Sequence, residues 1–273
     1  MKAVSRRTAL ISLGGFGIGL TGTSAIGASW LRDDRQPALT ILGCGRGLSV
    51  LLTSGGARML QLAGTDSTDF GNALSNARFP LLDRIDVLLV PGEEPNISLV
   101  KSALRQVDSR NVYSIGTSRH LLDAGIAVDR EMLVPYKLTL PSGTVMTVSG
   151  FSDPAASNAS LSSWYLLVRW GNHQVLIDSG GDIERLPHEA RNASAWIRTS
   201  GAFSAEDIKQ VEPSAILVAA ETIEGFRMRE LLQQESGRPV YGYRVHGGDI
   251  ARLQLGADGL HLPGNPASAP DRE

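Results

Sequence analysis

Two stretches of the chain line up without gaps: Val50–Gly64, VLLTSGGARMLQLAG, and Leu166–Gly180, LLVRWGNHQVLIDSG. Each reads as an apolar strand, a two-residue turn (Gly55-Gly56 and Gly171-Asn172), a second apolar strand and a run of small residues. A hairpin used twice constrains the fold, because each copy has an apolar face to bury and each needs the same kind of neighbour. A strand–loop–helix goes with each copy. In the first half the apolar run Ile85–Val90 stops at Pro91-Gly92, and Ile97, Leu99, Val100 and Leu104 follow at helical spacing. In the second half Ala215–Ala220 followed by the helix Arg227–Gln234 repeats it. This predicts an α/β protein of two pseudo-symmetric halves in a four-layer αββα sandwich, two sheets face to face and helices outside.

The remaining segments fit that plan. Leu39–Leu42, Leu48–Thr53 and Arg58–Leu62, joined by Gly43–Gly47 and Ser54–Gly56, predict an antiparallel meander. A short helix over Asp69–Arg78, a strand over Val112–Ile115 and a short helix over Ser118–Ala124 complete the first half. Lys137–Leu140 and Val145–Val148 form a hairpin through Pro141–Thr144, and the polar loop Ser152–Ser160 separates the halves. Val240–Val245 and the hairpin Ile250–Leu255/Gly259–Leu262 are expected to complete the second sheet.

At 273 residues, 42% of them hydrophobic, the chain can bury one sizeable core, assigned here to residues 38–262. Residues 1–28 read as an export signal: Ser5-Arg6-Arg7-Thr8-Ala9-Leu10 resembles the twin-arginine motif, and no charge follows until Arg32. Small residues around Ala25, Gly27 and Ala28 suit a signal peptidase; left uncleaved, the leader is long enough to anchor the chain. Either way the domain is expected outside the cytoplasmic membrane, periplasmic or extracellular, with membrane contact only through an uncleaved leader. Residues 29–37 are a spacer, and the tail Pro263–Glu273 has a disordered composition. The leader carries Lys2, Arg6 and Arg7 and no acid, so of 26 basic and 28 acidic residues the rest keeps 23 and 28, a charge of −5. That balance argues against nucleic acid as a partner. Cys44 is the single cysteine, which excludes an internal disulfide and a multi-cysteine zinc site; it reads as a small apolar residue in a strand.

The order of these elements resembles the metallo-β-lactamase αββα fold, and over residues 38–262 it is most similar to the C-terminal domain of ComEC-type DNA-uptake proteins. The D-V-G-Q-G-D turn of those domains is matched by Gly43-Cys44-Gly45-Arg46-Gly47-Leu48. Their I-D-x-L strand and T-H-x-D-x-D-H motif correspond to Ile85-Asp86-Val87-Leu88 and Pro91–Ile97. Their L-L-T-G-D is echoed by Leu176–Asp182, and their closing strand with G-x-I by Val240-Tyr241 and Gly248-Asp249-Ile250. The resemblance implies a hydrolase in which zinc held by His and Asp lowers the pKa of a bound water to about 7. Here the metal-binding His, Asp and His positions fall on Gly92, Asn96 and Ile97, and the intervening acid on Glu94. The later H-H-G-S stretch falls near Ile197-Arg198-Thr199-Ser200-Gly201. Only the Gly-Asp aspartate is kept, as Asp182 or Asp178.

The histidines His120, His173, His188, His246 and His261 form no H-x-H or H-x-x-x-H pair. His246, at a strand end before Gly247-Gly248, is the one placed near the expected site. Glu93 and Glu94 either sit on a loop at a helix N-terminus, where the macrodipole favours them, or join Asp178 or Asp182 in an oxygen-rich pocket for Mg²⁺, Mn²⁺ or Ca²⁺. Trp164, Tyr165 and Trp170 read as core and rim packing. The expectation is therefore a non-catalytic binding or scaffold domain with no cofactor and no metal. Glu93, Glu94, Asn96, Asp178, Asp182 and His246 are its candidate ligand-binding residues, and its partner is a protein or small molecule. The alternative is a metal-dependent hydrolase of phosphodiester or related bonds with a rebuilt carboxylate site, or an accessory of ComEC-like DNA uptake.

Overall fold

A computed structural model describes residues 37–77, 84–92, 94–132, 136–140, 143–152, 161–180, 183–201, 203–222, 240–256 and 259–261. The leader, all of the spacer but its last residue, most of the loop Ser152–Ser160, the expected helix Arg227–Gln234 and the tail lie outside these residues. So do Glu93 and Asp182.

The described residues open with the antiparallel meander β1 (Ala38–Cys44), β2 (Gly47–Ser54) and β3 (Ala57–Gln61). The β2/β3 turn puts both glycines at positive φ, 60° and 84°, the pattern that tight hairpins favour. Helix α1 (Ser67–Ala77) then leads to β4 (Arg84–Ile85) and β5 (Val87–Pro91), followed by α2 (Ile97–Gln106), β6 (Asp108–Ser109), β7 (Val112–Ile115), α3 (Arg119–Asp123) and β8 (Arg130–Met132). The second half runs β9 (Tyr136–Thr139), β10 (Val145–Ser152), β11 (Leu161–Trp170), β12 (His173–Asp178), β13 (Ala195–Arg198), α4 (Ala205–Val211), β14 (Ala215–Ala219) and β15 (Tyr241–Val245). A final hairpin is made by β16 (Ile250–Gly256) and β17 (Gly259–His261).

The first sheet has the order β17-β16-β1-β2-β3-β5-β7-β8 and the second β15-β14-β13-β12-β11-β10-β9. Within each, three antiparallel strands are followed by parallel ones: β1-β2-β3 then β5-β7-β8, and β10-β11-β12 then β13-β14-β15. The repeated hairpins β2/β3 and β11/β12 thus hold the same place in their sheets, as the gapless alignment requires.

Side chains alternate between two cores. Leu48, Val50 and Leu52 of β2, Leu89 of β5, Leu166 and Val168 of β11, Val175 and Ile177 of β12 and Leu217 of β14 meet between the sheets. On the outer face of the first sheet Leu88 and Val90 pack under Phe70, Leu99 and Val100. On the outer face of the second, Leu176, Trp196, Ile216 and Val218 pack with Ile183, Ile208 and Val211. Burial on both faces explains why these strands read as continuous apolar runs. Trp164 and Trp170 lie in the inner core and Tyr165 in the outer one, as expected.

Four expectations are corrected. The hairpin β9/β10 belongs to the second sheet, where β10 pairs antiparallel with β11, so the halves divide before β9 and not at Ser152–Ser160. The hairpin Ile250–Gly256/Gly259–His261 belongs to the first sheet, where β16 pairs antiparallel with β1 (Ala38↔Gln254 to Leu42↔Ile250) and places Leu253 and Leu255 in the inner core. The turn after β15 carries the chain across: the Gly43 amide donates to Asp249 O and the Gly248 amide to Gly43 O. Next, the counterpart of β5 and α2 is β13 and α4, and Ala215–Ala219 is the counterpart of β7. Last, Ile85–Val90 is not one strand. The Asp86 carboxylate accepts the Arg58 amide at 3.0 Å and pairs with Arg110, so the strand breaks there into β4 and β5.

Candidate functional site

The strands β3, β5 and β7, and β12, β13 and β14, deliver their C-terminal ends to one end of the sandwich, together with the β1/β2 turn. In α/β architecture this is the end where ligands are bound. Here the loops meet backbone against backbone. The Leu48 amide donates to Thr199 O at 3.0 Å, joining the two halves, and the Thr65 amide donates to Cys44 O at 2.9 Å. Glycines permit this closeness. A Cβ on Gly47 would lie 2.5 Å from Gly64 Cα and 2.8 Å from Thr199 O; on Gly43, 1.9 Å from His246 O; on Gly92, 1.9 Å from Thr117 O.

The loop after β5 is fixed by Asn96. Its Oδ1 caps α2 by accepting the Leu99 amide at 3.1 Å, and its Nδ2 donates to Gly64 O at 3.1 Å. Both ends of that amide are therefore committed. Ile97 packs against the outer core of the first sheet, and Glu94 is exposed. The residues at the positions a zinc centre would need do not fit one: Gly92 offers no side chain, Asn96 is used up, and Ile97 is apolar. Among the described residues no group of three His, Cys, Asp or Glu stands close enough to hold a metal ion.

Asp178 lies on the helix side of the second sheet, away from the space between the sheets. It is 3% exposed and paired side by side with Arg198 in the β12/β13 ladder. Arg198 Nε and Nη2 donate to its two oxygens at 3.2 and 3.1 Å, and Arg198 Nη1 donates to Asp207 at 3.1 Å. The guanidinium carbon lies 4.8 Å from the Trp196 ring centre and 4.7 Å from that of Phe203. Burial pushes the Asp178 carboxyl above its ordinary pKa, opposed by the Arg198 charge and hydrogen bonds. Asp207 also closes a capping box with Ser204 at the start of α4. Asp178 thus serves an internal ion pair and is not offered to a ligand.

His246 is exposed in the turn after β15. The acids around that turn were not singled out in the sequence. Glu221, following the buried strand β14, accepts the Gly247 amide at 3.0 Å. Asp69 of α1 lies close enough that a Cβ on Gly247 would stand 2.1 Å from its Oδ2. Asp66 caps α1 by accepting the Thr68 and Asp69 amides at 2.7 and 3.0 Å. The signal available for Glu221 was an acid directly after a run of buried apolar residues, the position at which a strand hands over to its functional end. His120 and His188 are exposed elsewhere, His173 stands 5.6 Å from the Trp170 ring, and His261 lies on the edge strand β17.

Cys44 is buried at the rim, its thiol directed to Leu42 O and Ser49 Oγ. Burial pushes it up to about 11. An open cavity of about 390 Å³ is at the opposite end, lined by Pro37, Thr144, Trp170, Asn172, His173 and Leu255 among others.

With this geometry in place, comparison with known proteins defines the fold. No family model matches the chain, and no curated protein matches it. Among solved structures it is similar to the metallo-β-lactamase fold protein YhfI of Bacillus subtilis, at a TM-score of 0.55 and 13% identity, over 80% of this chain and 100% of that one. It is similar to CmlA, a diiron β-hydroxylase of Streptomyces venezuelae, at 0.53 and 14%, over 81% of this chain and 54% of that one. It is also similar to Igni18, a metallo hydrolase of the archaeon Ignicoccus hospitalis, at 0.52 and 8%, over 79% and 98%. The chain has the metallo-β-lactamase fold. It spans about half the length of CmlA.

Proposed function

We propose that this is an exported, ComEC-like domain of metallo-β-lactamase fold that has lost metal chemistry and uses the functional end of the sandwich to bind a protein or small molecule. The observation that carries the reading is the closure of that end by the protein's own backbone. Where a zinc site would draw loops together through ligands, Gly43, Gly47 and Gly92 let carbonyls and amides of neighbouring loops touch directly. Asn96 ties two of those loops together. Among the described residues the exposed charged side chains there include Asp66, Glu94, Glu221 and Asp249, with Arg46 and His246 beside them. A predominantly acidic rim fits the exclusion of nucleic acid. The Arg6-Arg7 leader supports export.

The second reading is a hydrolase of phosphodiester or related bonds on a rebuilt carboxylate site. What favours it is the approach of Asp69 and Glu221 to the Gly247 turn beside His246. One experiment separates the two: metal content of the purified protein, with thermal melts in EDTA and in added zinc or manganese. The scaffold reading expects less than a tenth of an equivalent of metal, as an order of magnitude, and a midpoint that barely moves, since a ligand bound only to the native state raises stability by mass action. About 3 kcal/mol of metal stabilisation would shift the midpoint by several degrees. A fall of that size in EDTA, reversed by metal, gives the hydrolase.

A further inference from the structure

We propose that Arg198 is a positioning residue for the rim, a fixed internal cation that holds the loop after β13 in place. The inference rests on the metal-free reading above and says what does the holding. Three observations converge on it.

First, the fork of Arg198 is used on two sides. It grips Asp178 at the end of β12 through Nε and Nη2, and Asp207 in the first turn of α4 through Nη1. Second, the residues on either side of the following loop are tied to Arg198 or to the two residues it holds. Thr199 is fixed to Asp178, its amide and its hydroxyl both donating to Asp178 O at 2.8 Å, while Phe203 stacks against the guanidinium and Ser204 is boxed to Asp207. Third, Thr199 O is the acceptor for the Leu48 amide, the hydrogen bond that joins the β1/β2 turn to the second half. The path from the internal cation to the rim is therefore short: Arg198, Asp178, Thr199, Leu48. All of it is buried, so water competes little for these bonds.

The arrangement makes a rim whose shape depends on one guanidinium. Lysine keeps the charge but cannot fork to two carboxylates, and its ammonium does not spread over the Trp196 and Phe203 rings as the guanidinium does. The test is amide hydrogen exchange on the purified protein, read residue by residue. Arg198→Lys should speed exchange at the Leu48 and Thr199 amides by roughly tenfold or more, a local opening in the sense of sub-global exchange, with the β11/β12 amides near the Gly171 turn unchanged. If Arg198→Lys does not yield folded protein, Asp178→Asn, which keeps size and one acceptor, carries the same expectation. Asp207→Asn should loosen only the start of α4. Unchanged exchange at Leu48 and Thr199 in Arg198→Lys, or an equal rise throughout the molecule, overturns the proposal. So does release of Thr199 by Asp207→Asn to the same degree. Metal content measured on the same samples keeps the two ideas apart. Bound metal whose removal frees Thr199 in the wild type overturns the metal-free reading; a flat Arg198→Lys profile in metal-free protein overturns the clamp alone.

Discussion

A methyl group added at position 92 would stand 1.9 Å from the Thr117 carbonyl oxygen, a distance at which the backbone itself must move. Gly92→Ala is therefore expected to destabilise the domain by about 1–3 kcal/mol, the usual cost of overpacking, read as a fall in the urea midpoint with little change in slope. An unchanged midpoint would mean that the loops after β5 and β7 do not touch. Cys44 makes a different prediction. Its folded-state pKa of about 11, against 9.0 for an ordinary thiol, means that the fold favours the neutral form. The contribution is fully present below pH 9 and is lost as pH rises toward 11, because the unfolded chain releases its proton first. At pH 8 a thiol reagent should label Cys44 only at the rate of unfolding, and Cys44→Ala should flatten the alkaline limb of the stability curve. Rapid labelling of native protein would contradict the burial.

At the scale of elements, α3 depends on a group from a neighbouring strand. Ser118, which precedes the helix, donates its amide at 2.8 Å and its hydroxyl at 2.5 Å to Glu131 Oε1 on β8. These bonds hold the Glu131 carboxyl below its usual pKa. A depressed pKa contributes stability that is present above the ordinary carboxylate range and lost as pH falls through the lower folded value. Glu131→Gln should melt slightly earlier than wild type at pH 7 and converge with it in acid; parallel curves down to pH 3 would sink the account. Much of the layout was legible in the chain because its cause is local: the two glycine turns, the continuous apolar runs, and the helical spacing of Ile97, Leu99, Val100 and Leu104. What escaped was decided at a distance. β13, Ala-Trp-Ile-Arg, is too short and too charged to read as a buried strand until Asp178 is seen to neutralise Arg198. The helix after it carries a local signal, Ser204 and Asp207 in a capping box, but it is only seven residues long, too short for a clear apolar period. Of the site, Asn96 was found as a residue but not as a tie between loops, since its partner Gly64 O lies far away in sequence.

For the molecule as a whole, the proposed export is open to a direct test. Changing Arg6 and Arg7 together to Lys should leave the precursor in the cytoplasm, detected by fractionation and the unprocessed mass; unchanged secretion would assign another route. No helix among the described residues is long and apolar enough to cross a membrane. One more consequence concerns the order in which the protein can be made. β1, the first strand among the described residues, lies between β2 and β16, and Gln254, the partner of Ala38, stands far along the sequence. Contacts of such separation come late and slow folding. While the chain is being synthesised β1 must wait with its outer row of amides and carbonyls unpaired, an invitation to edge-to-edge association. The hairpin β16/β17 ends that exposure once it has been synthesised.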